Sequence, residues 1–240
     1  MKTIGLIGGM SWESTVEYYR LINEEVKCRR GGFHSARCLL YSVDFAEIEY
    51  YMRTDRWEKI SPMLIGAAKT LEKAGADFIL LCTNTMHRFF EPIQESISID
   101  VIHIADATAD EILKANIKKV GLLGTKPTME QDFYKERLEK KGIDVIVPDA
   151  KNRDVVHQVI FDELCLGRVE LNSKSAYIRI IEGLFSIGAA GIILGCTEIT
   201  LLLKKEDLKI PLFDTTCIHA IKAVERALYE TGRSTQKKAE

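Results

Sequence analysis

Short apolar runs alternate with longer stretches of helical period along this chain. The runs predict strands at Thr3–Ile7, Cys38–Val43, Asp77–Leu81, Val101–Ile104, Val120–Leu123, Val145–Val147, Gly191–Leu194 and Pro211–Phe213. Between them, amphipathic periodicity predicts helices, among them Ser14–Arg29, Trp57–Ala74, Glu130–Lys140, Ser173–Ile187 and Thr216–Tyr229. Short, almost continuously apolar strands separated by helices imply parallel sheets covered on both faces, joined by right-handed crossovers. The expected class is α/β.

The pattern also repeats. Ala74-Gly75-Ala76-Asp77-Phe78-Ile79-Leu80-Leu81-Cys82-Thr83 resembles Ile187-Gly188-Ala189-Ala190-Gly191-Ile192-Ile193-Leu194-Gly195-Cys196. Lys2–Gly9 resembles Lys118–Thr125, and Asp106-Ala107-Thr108 has an echo in Asp214-Thr215-Thr216. Three segments recurring in one order imply two pseudo-symmetric α/β/α halves, each with a four-stranded parallel sheet. The expected division is 1–104 plus 217–240 for one half and 105–216 for the other, with a ligand cleft between them. Only the tail from Gly232 onward reads as loose.

Composition narrows the classes. The chain has 240 residues, 46% hydrophobic and 28% charged, with a formal net charge of −2. That balance gives no reason to expect nucleic acid or an anionic membrane as partner. No apolar run reaches the roughly 18 residues of a membrane span. The six cysteines form no C-x-x-C pair and no metal-ligand spacing with histidine, so no metal is expected, and reduced thiols in a cytoplasmic protein are.

Four polar turns follow predicted strands: Gly8-Gly9-Met10-Ser11, Thr83-Asn84-Thr85, Gly124-Thr125 and Cys196-Thr197. Ligands of open parallel sheets bind outside the carboxyl ends of the strands. Each turn leads into a predicted helix, whose unpaired N–H groups favour a carboxylate or phosphate. The string GLIGGM lacks both G-x-G-x-x-G and a Walker lysine, which argues against a nucleotide. Cys196 stands where a helix start would favour its thiolate. The matching position in the first copy is Thr83, and the pair is expected to face each other. Period-2 alternation aims the neighbouring Cys82 into the sheet layer.

GLIGGMSWES, CTNTMH at Cys82–His87, GLLGTKPTMEQDFY at Gly121–Tyr134 and GCTEI at Gly195–Ile199 resemble the aspartate/glutamate racemase family over nearly the whole chain. The resemblance implies two similar α/β halves and racemisation without pyridoxal phosphate or metal: one thiolate removes the Cα proton and a thiol on the other face returns one. Common members carry Cys in both turns. This chain has Thr83 in the first, like a subgroup that includes racemases of Asp and Glu and others of broad specificity. An alkyl hydroxyl titrates about 7 pKa units above a thiol, so Thr83 as base costs roughly 9–10 kcal/mol more than Cys.

By position, Met10, Ser11, Asn84, Thr85, Thr125 and Thr197 are expected to hold the α-carboxylate and α-ammonium. His87, Glu163 and Glu198 are candidates for supporting the acid/base pair, His87 equally for a residue satisfied within its own turn. Arg53 and Arg56 are candidates for a second substrate carboxylate, or ordinary surface charges. Relatives often have a basic residue before the glycine at Gly167, where this chain has Leu166, so neutral amino acids stay in view. The resemblance further implies no cofactor, a small amino-acid substrate and a homodimer. Two rivals remain open: a single-thiol decarboxylase or isomerase of the same fold, and a non-catalytic amino-acid-binding protein.

Overall fold

The computed structural model describes residues 1–229; the tail expected to be loose from Gly232 lies outside them. The chain forms two compact units. The first comprises Met1–Cys82, Phe89–His103 and the described residues from His219; the second comprises Thr83–Arg88 and Ile104–Ile218. None of the described helices is long and apolar enough to cross a membrane.

In the first unit the chain runs β1 (Thr3–Gly8), α1 (Trp12–Arg30), β2 (Arg37–Ser42), α2 (Phe45–Arg53), α3 (Ile60–Lys73), β3 (Phe78–Leu81), α4 (Phe90–Glu95) and β4 (Asp100–Ile102). The second holds α5 (Ile104–Lys114), β5 (Lys119–Gly124), α6 (Lys126–Glu130), α7 (Asp132–Glu139), β6 (Asp144–Ile146), α8 (Ala150–Asp162), α9 (Leu171–Ser186), β7 (Ile192–Gly195), α10 (Ile199–Leu202) and β8 (Leu212–Asp214). A last helix, α11 (Thr215–Leu228), begins in the second unit and ends in the first.

Each sheet has four parallel strands, ordered β2-β1-β3-β4 and β6-β5-β7-β8. The two orders match strand for strand, and the sequence repeat aligns β1 with β5 and β3 with β7. In both sheets the chain first steps one way from the founding strand and then the other. Right-handed crossovers in opposite directions put their helices on opposite faces. Thus α1 and α11 cover the face carrying Ile4, Leu6, Phe78 and Leu80, while α3 packs on β1 and β2. In the second unit α5 and α7 share a core with Val120, Leu122 and Ile193; α8, α9 and α10 share one with Leu123, Ile192 and Leu194.

The strand expectations hold to within a residue or two. The helix expected over Glu130–Lys140 is α7, Asp132–Glu139; Glu130 instead ends α6, and Gln131 between them is extended, with ψ 158°. The start of the helix expected at Trp57 is a 3₁₀ turn over Trp57–Lys59.

Candidate functional site

The topology fixes where the chemistry lies within each unit. The strand order reverses between β1 and β3 in one sheet and between β5 and β7 in the other. Those are the crevices where open α/β sheets take ligands. The four polar turns leave the carboxyl ends of these four strands.

The turn after β1 is set by its glycines. Gly9 has φ +90°, and a Cβ there would lie 2.2 Å from the Val43 carbonyl oxygen. Its N–H donates to Thr15 Oγ1 at 2.8 Å. Ser11 is the N-cap of α1, its hydroxyl accepting from the Ser14 N–H. Met10 and Ser11 are both buried.

The turn after β3 belongs to the second unit. Thr83 is half-buried, and its carbonyl meets His87 Nδ1 at 2.8 Å. A carbonyl only accepts, so Nδ1 carries the proton; Nε2 is then the acceptor for the Ile104 N–H at 3.2 Å. His87 is therefore a neutral clamp on the Thr83 backbone. Cys82, one residue earlier, lies in the first unit's core, where burial raises its thiol pKa.

Asn84 connects this turn to β7. Its Nδ2 donates to Thr215 Oγ1 at 3.0 Å, and the Thr215 hydroxyl donates to the Leu194 carbonyl at 2.9 Å. That hydroxyl has one proton, already committed, so it can only accept from Asn84. The amide orientation is thereby fixed, and its Oδ1 is left buried without a hydrogen-bond partner. Beside it, the hydroxyls of Thr85, Thr125 and Thr128 form a ring with edges of 2.9, 3.1 and 3.4 Å. Thr197 accepts from the Thr216 hydroxyl at 3.1 Å. Thr128, Thr215 and Thr216 are additions to the expected set. The Asp-Thr-Thr echo was the signal for two of them; Thr128 gave none, since only the fold of α6 brings it round to Thr85.

Cys196 opens the equivalent turn after β7. Its thiol donates to Glu198 Oε2 at 2.9 Å, and Glu198 is only 6% exposed. The thiol pKa is raised, chiefly by burial, then by the charge of Glu198. The expectation of a thiolate favoured by a helix start fails here. α10 spans only four residues, so its dipole is slight, and desolvation dominates. The turns of Thr83 and Thr125 also lead into helical segments of only five residues; α1 alone among the four is long.

Glu163 caps α8. Its Oε1 accepts from Ser173 at 2.9 Å, while Oε2 is buried with no hydrogen-bond partner. Glu163 lies in the same electrostatic neighbourhood as Cys196: both, with Cys165, act on the buried Tyr177 hydroxyl, whose pKa burial raises most. Arg53 is exposed on α2, paired with Glu49 at 3.2 Å, and Arg56 stacks on Tyr50. Leu166 is 64% exposed. Among the described residues no three His, Cys, Asp or Glu side chains converge as metal ligands would.

Known proteins share this fold. The model of the Asp/Glu/hydantoin racemase family matches residues 7–223. The broad-specificity amino-acid racemase RacX of Bacillus subtilis is 28% identical over 94% of this chain and 98% of its own length. A crystal structure from Yersinia pestis, provisionally assigned as an Asp/Glu racemase, is 52% identical with a TM-score of 0.89, covering 95% of this chain and all of that one. An aspartate racemase homologue from Pyrococcus horikoshii is 40% identical, TM-score 0.81, over 95% of this chain and 99% of that one. With two matching doubly wound sheets and the polar turns at their switch points, the chain belongs to the Asp/Glu/hydantoin racemase family of isomerases.

Proposed function

We propose that the chain racemises amino acids without pyridoxal phosphate or a metal, with Cys196 and Thr83 serving opposite faces of the substrate Cα. The observation that carries this reading is the Cys196–Glu198 contact: a thiol that donates to a buried carboxylate 2.9 Å away. The pair holds one proton and one negative charge. Moving the proton from Sγ to Oε2 makes a thiolate without changing the charge of the site; a nearby α-ammonium stabilises that thiolate by its charge and favours the next step by lowering the Cα–H pKa. Asn84 Oδ1, a buried acceptor without a hydrogen-bond partner, suits that ammonium. The hydroxyls of Thr85 and Thr125, now bonded to each other, suit the α-carboxylate by turning toward it. Thr197 completes the binding set of the second unit.

The thiolate takes the Cα proton of one enantiomer. The carbanion is protonated from the other face by the Thr83 hydroxyl, directly or through water; the oxyanion so left takes a proton from solvent, and Glu198 returns to solvent the one it took. In reverse Thr83 is the weaker base by far. We therefore expect faster Cα exchange for one enantiomer than for the other, with the asymmetry shared between kcat and KM, since the equilibrium constant is near one. The test is a panel of L and D amino acids, acidic and neutral, in deuterated water read by proton NMR. Cys196→Ser should abolish exchange. Thr83→Ala should keep exchange on one enantiomer while losing its conversion. Exchange surviving in Cys196→Ser sinks the assignment. The exposed Leu166 supports including neutral substrates. The hydroxyl at Thr83 favours a single-thiol decarboxylase as the second reading, and carbon dioxide released from a malonate would support it.

We also propose a cytoplasmic homodimer. All six cysteines are unbonded, as in a reducing compartment. On α1 the outward face shows Trp12, Val16 and Tyr19, more than half exposed; Leu40 of the edge strand β2, which with Thr15 of α1 flanks Gly8, is exposed to the same degree. The four side chains offer roughly 500 Å² per protomer, about 1,000 Å² for a pair, the lower limit of a specific interface. Spacing 12–16–19 is near-symmetric about Val16, so antiparallel packing of two α1 helices sets Trp12-Glu13 against Tyr19-Arg20 of the second copy, aromatic on aromatic and acid on base.

A further inference from the structure

The start of α6 is capped from outside. An N-cap threonine ordinarily turns its hydroxyl to the N–H of the second or third residue of its own helix. Thr125 does not: its hydroxyl is committed to Thr85 and Thr128, and it makes no capping bond. Pro127, near the helix start, removes one orphan donor. The Lys126 N–H finds its acceptor on α8, at His157 Nδ1, 3.2 Å away. The imidazole is half-buried and tilted against Phe161, ring centroids 4.8 Å apart. One turn back on α8, Asp154 pairs with the Lys126 ammonium. Two side chains of α8 thus grip Lys126 by backbone and by side chain.

We propose that His157 is a positioning residue: by accepting from the Lys126 N–H, with Asp154 on the Lys126 ammonium, it fixes the backbone next to Thr125 and so the place of the hydroxyl that meets the ligand. This rests on the reading above that Thr125 holds the substrate carboxylate. An imidazole accepts at Nδ1 only while neutral, with its proton on Nε2. The groups acting on it are Lys126, Asp154, Asp162 and Glu130. Burial and then the Lys126 charge lower its pKa, against the three carboxylates, so the cap is intact at neutral pH and is lost as pH falls below the ordinary histidine range. Substrate binding should weaken over the same interval.

The test uses the full chain and two variants. Asparagine places its Oδ1 close to where Nδ1 lies and does not titrate, so His157→Asn keeps the cap at every pH. His157→Phe keeps the packing and removes the acceptor. In the wild type, KM for Cα exchange should rise from pH 7.5 to 5 with kcat moving less. His157→Asn should flatten that rise. His157→Phe should raise KM about tenfold at pH 7.5, the scale of one lost helix cap. A second readout needs no substrate: the Lys126 amide resonance should follow the His157 titration in the wild type and not in His157→Asn. An amide that ignores the titration, or a KM rise unchanged in His157→Asn, overturns the proposal. An amide that follows it, in a protein that exchanges no amino acid, supports the cap and overturns the racemase reading instead.

Discussion

At the scale of residues, the proton on Cys196 is the central quantity. Two effects oppose reactivity, burial and the charge of Glu198, and both raise the thiol pKa. Glu198 nevertheless sits where it can take the proton. These roles separate in Glu198→Gln. Removing the charge lowers the Cys196 pKa, so alkylation by iodoacetamide at pH 7.5 should quicken. Removing the acceptor should cut kcat by about 10²–10⁴, the usual worth of a general base. Slower alkylation would contradict the electrostatic assignment; unchanged kcat would contradict the chemical one. The local string Gly-Cys-Thr-Glu placed Glu198 two residues on from the sulfur. Whether its carboxylate would turn back onto Cys196 or outward to solvent was decided by the tight fold of Cys196–Ile199 and by the core beneath it.

At the scale of elements, the first unit is tied by a buried histidine that the sequence did not single out. His219 on α11 has its Nε2 2.9 Å from the Ile102 carbonyl and its Nδ1 2.9 Å from the Tyr18 hydroxyl. The carbonyl demands Nε2–H, so Tyr18 donates to Nδ1, and one neutral ring joins α11, β4 and α1. Burial lowers its pKa to about 4. An unfolded histidine protonates near 6.5, so between about 6.5 and 4 the unfolded chain binds the extra proton. Stability is full above that interval and falls through it on acidification, by about 3 kcal/mol at most. Urea unfolding between pH 7.5 and 4 measures this. Tyr18→Phe, which removes the hydrogen bond to Nδ1, should cost about 1–3 kcal/mol at pH 7.5. A His219→Gln variant with the same acid slope would show that other groups govern it.

At the scale of the molecule, the proposed dimer rests on the first unit alone. Val16→Lys should put two like charges at the centre of the α1 contact and yield a monomer in sedimentation, with the far-ultraviolet circular dichroism unchanged. Surface substitutions of this kind cost a folded domain within about 0.5 kcal/mol, so loss of the dimer would report the interface. A dimer that persists would place self-association elsewhere.

What was written in the residue order was periodicity, and periodicity is local. Apolar runs of strand length, glycines at the turn after β1 and the doubled strand–turn pattern were enough for two parallel α/β halves, because parallel strands buried on both faces leave an unmistakable apolar run. The same strings marked Thr83 and Cys196 as ends of equivalent strands. What only the tertiary structure decided was the partner of each polar atom: Thr215 turning the Asn84 amide, Glu198 under the Cys196 thiol, His157 capping Lys126 from another helix. Such pairings join residues as much as 131 positions apart. No local pattern encodes them, because a hydrogen bond answers to distance and angle in space, and these exist only once the sheets and helices have packed.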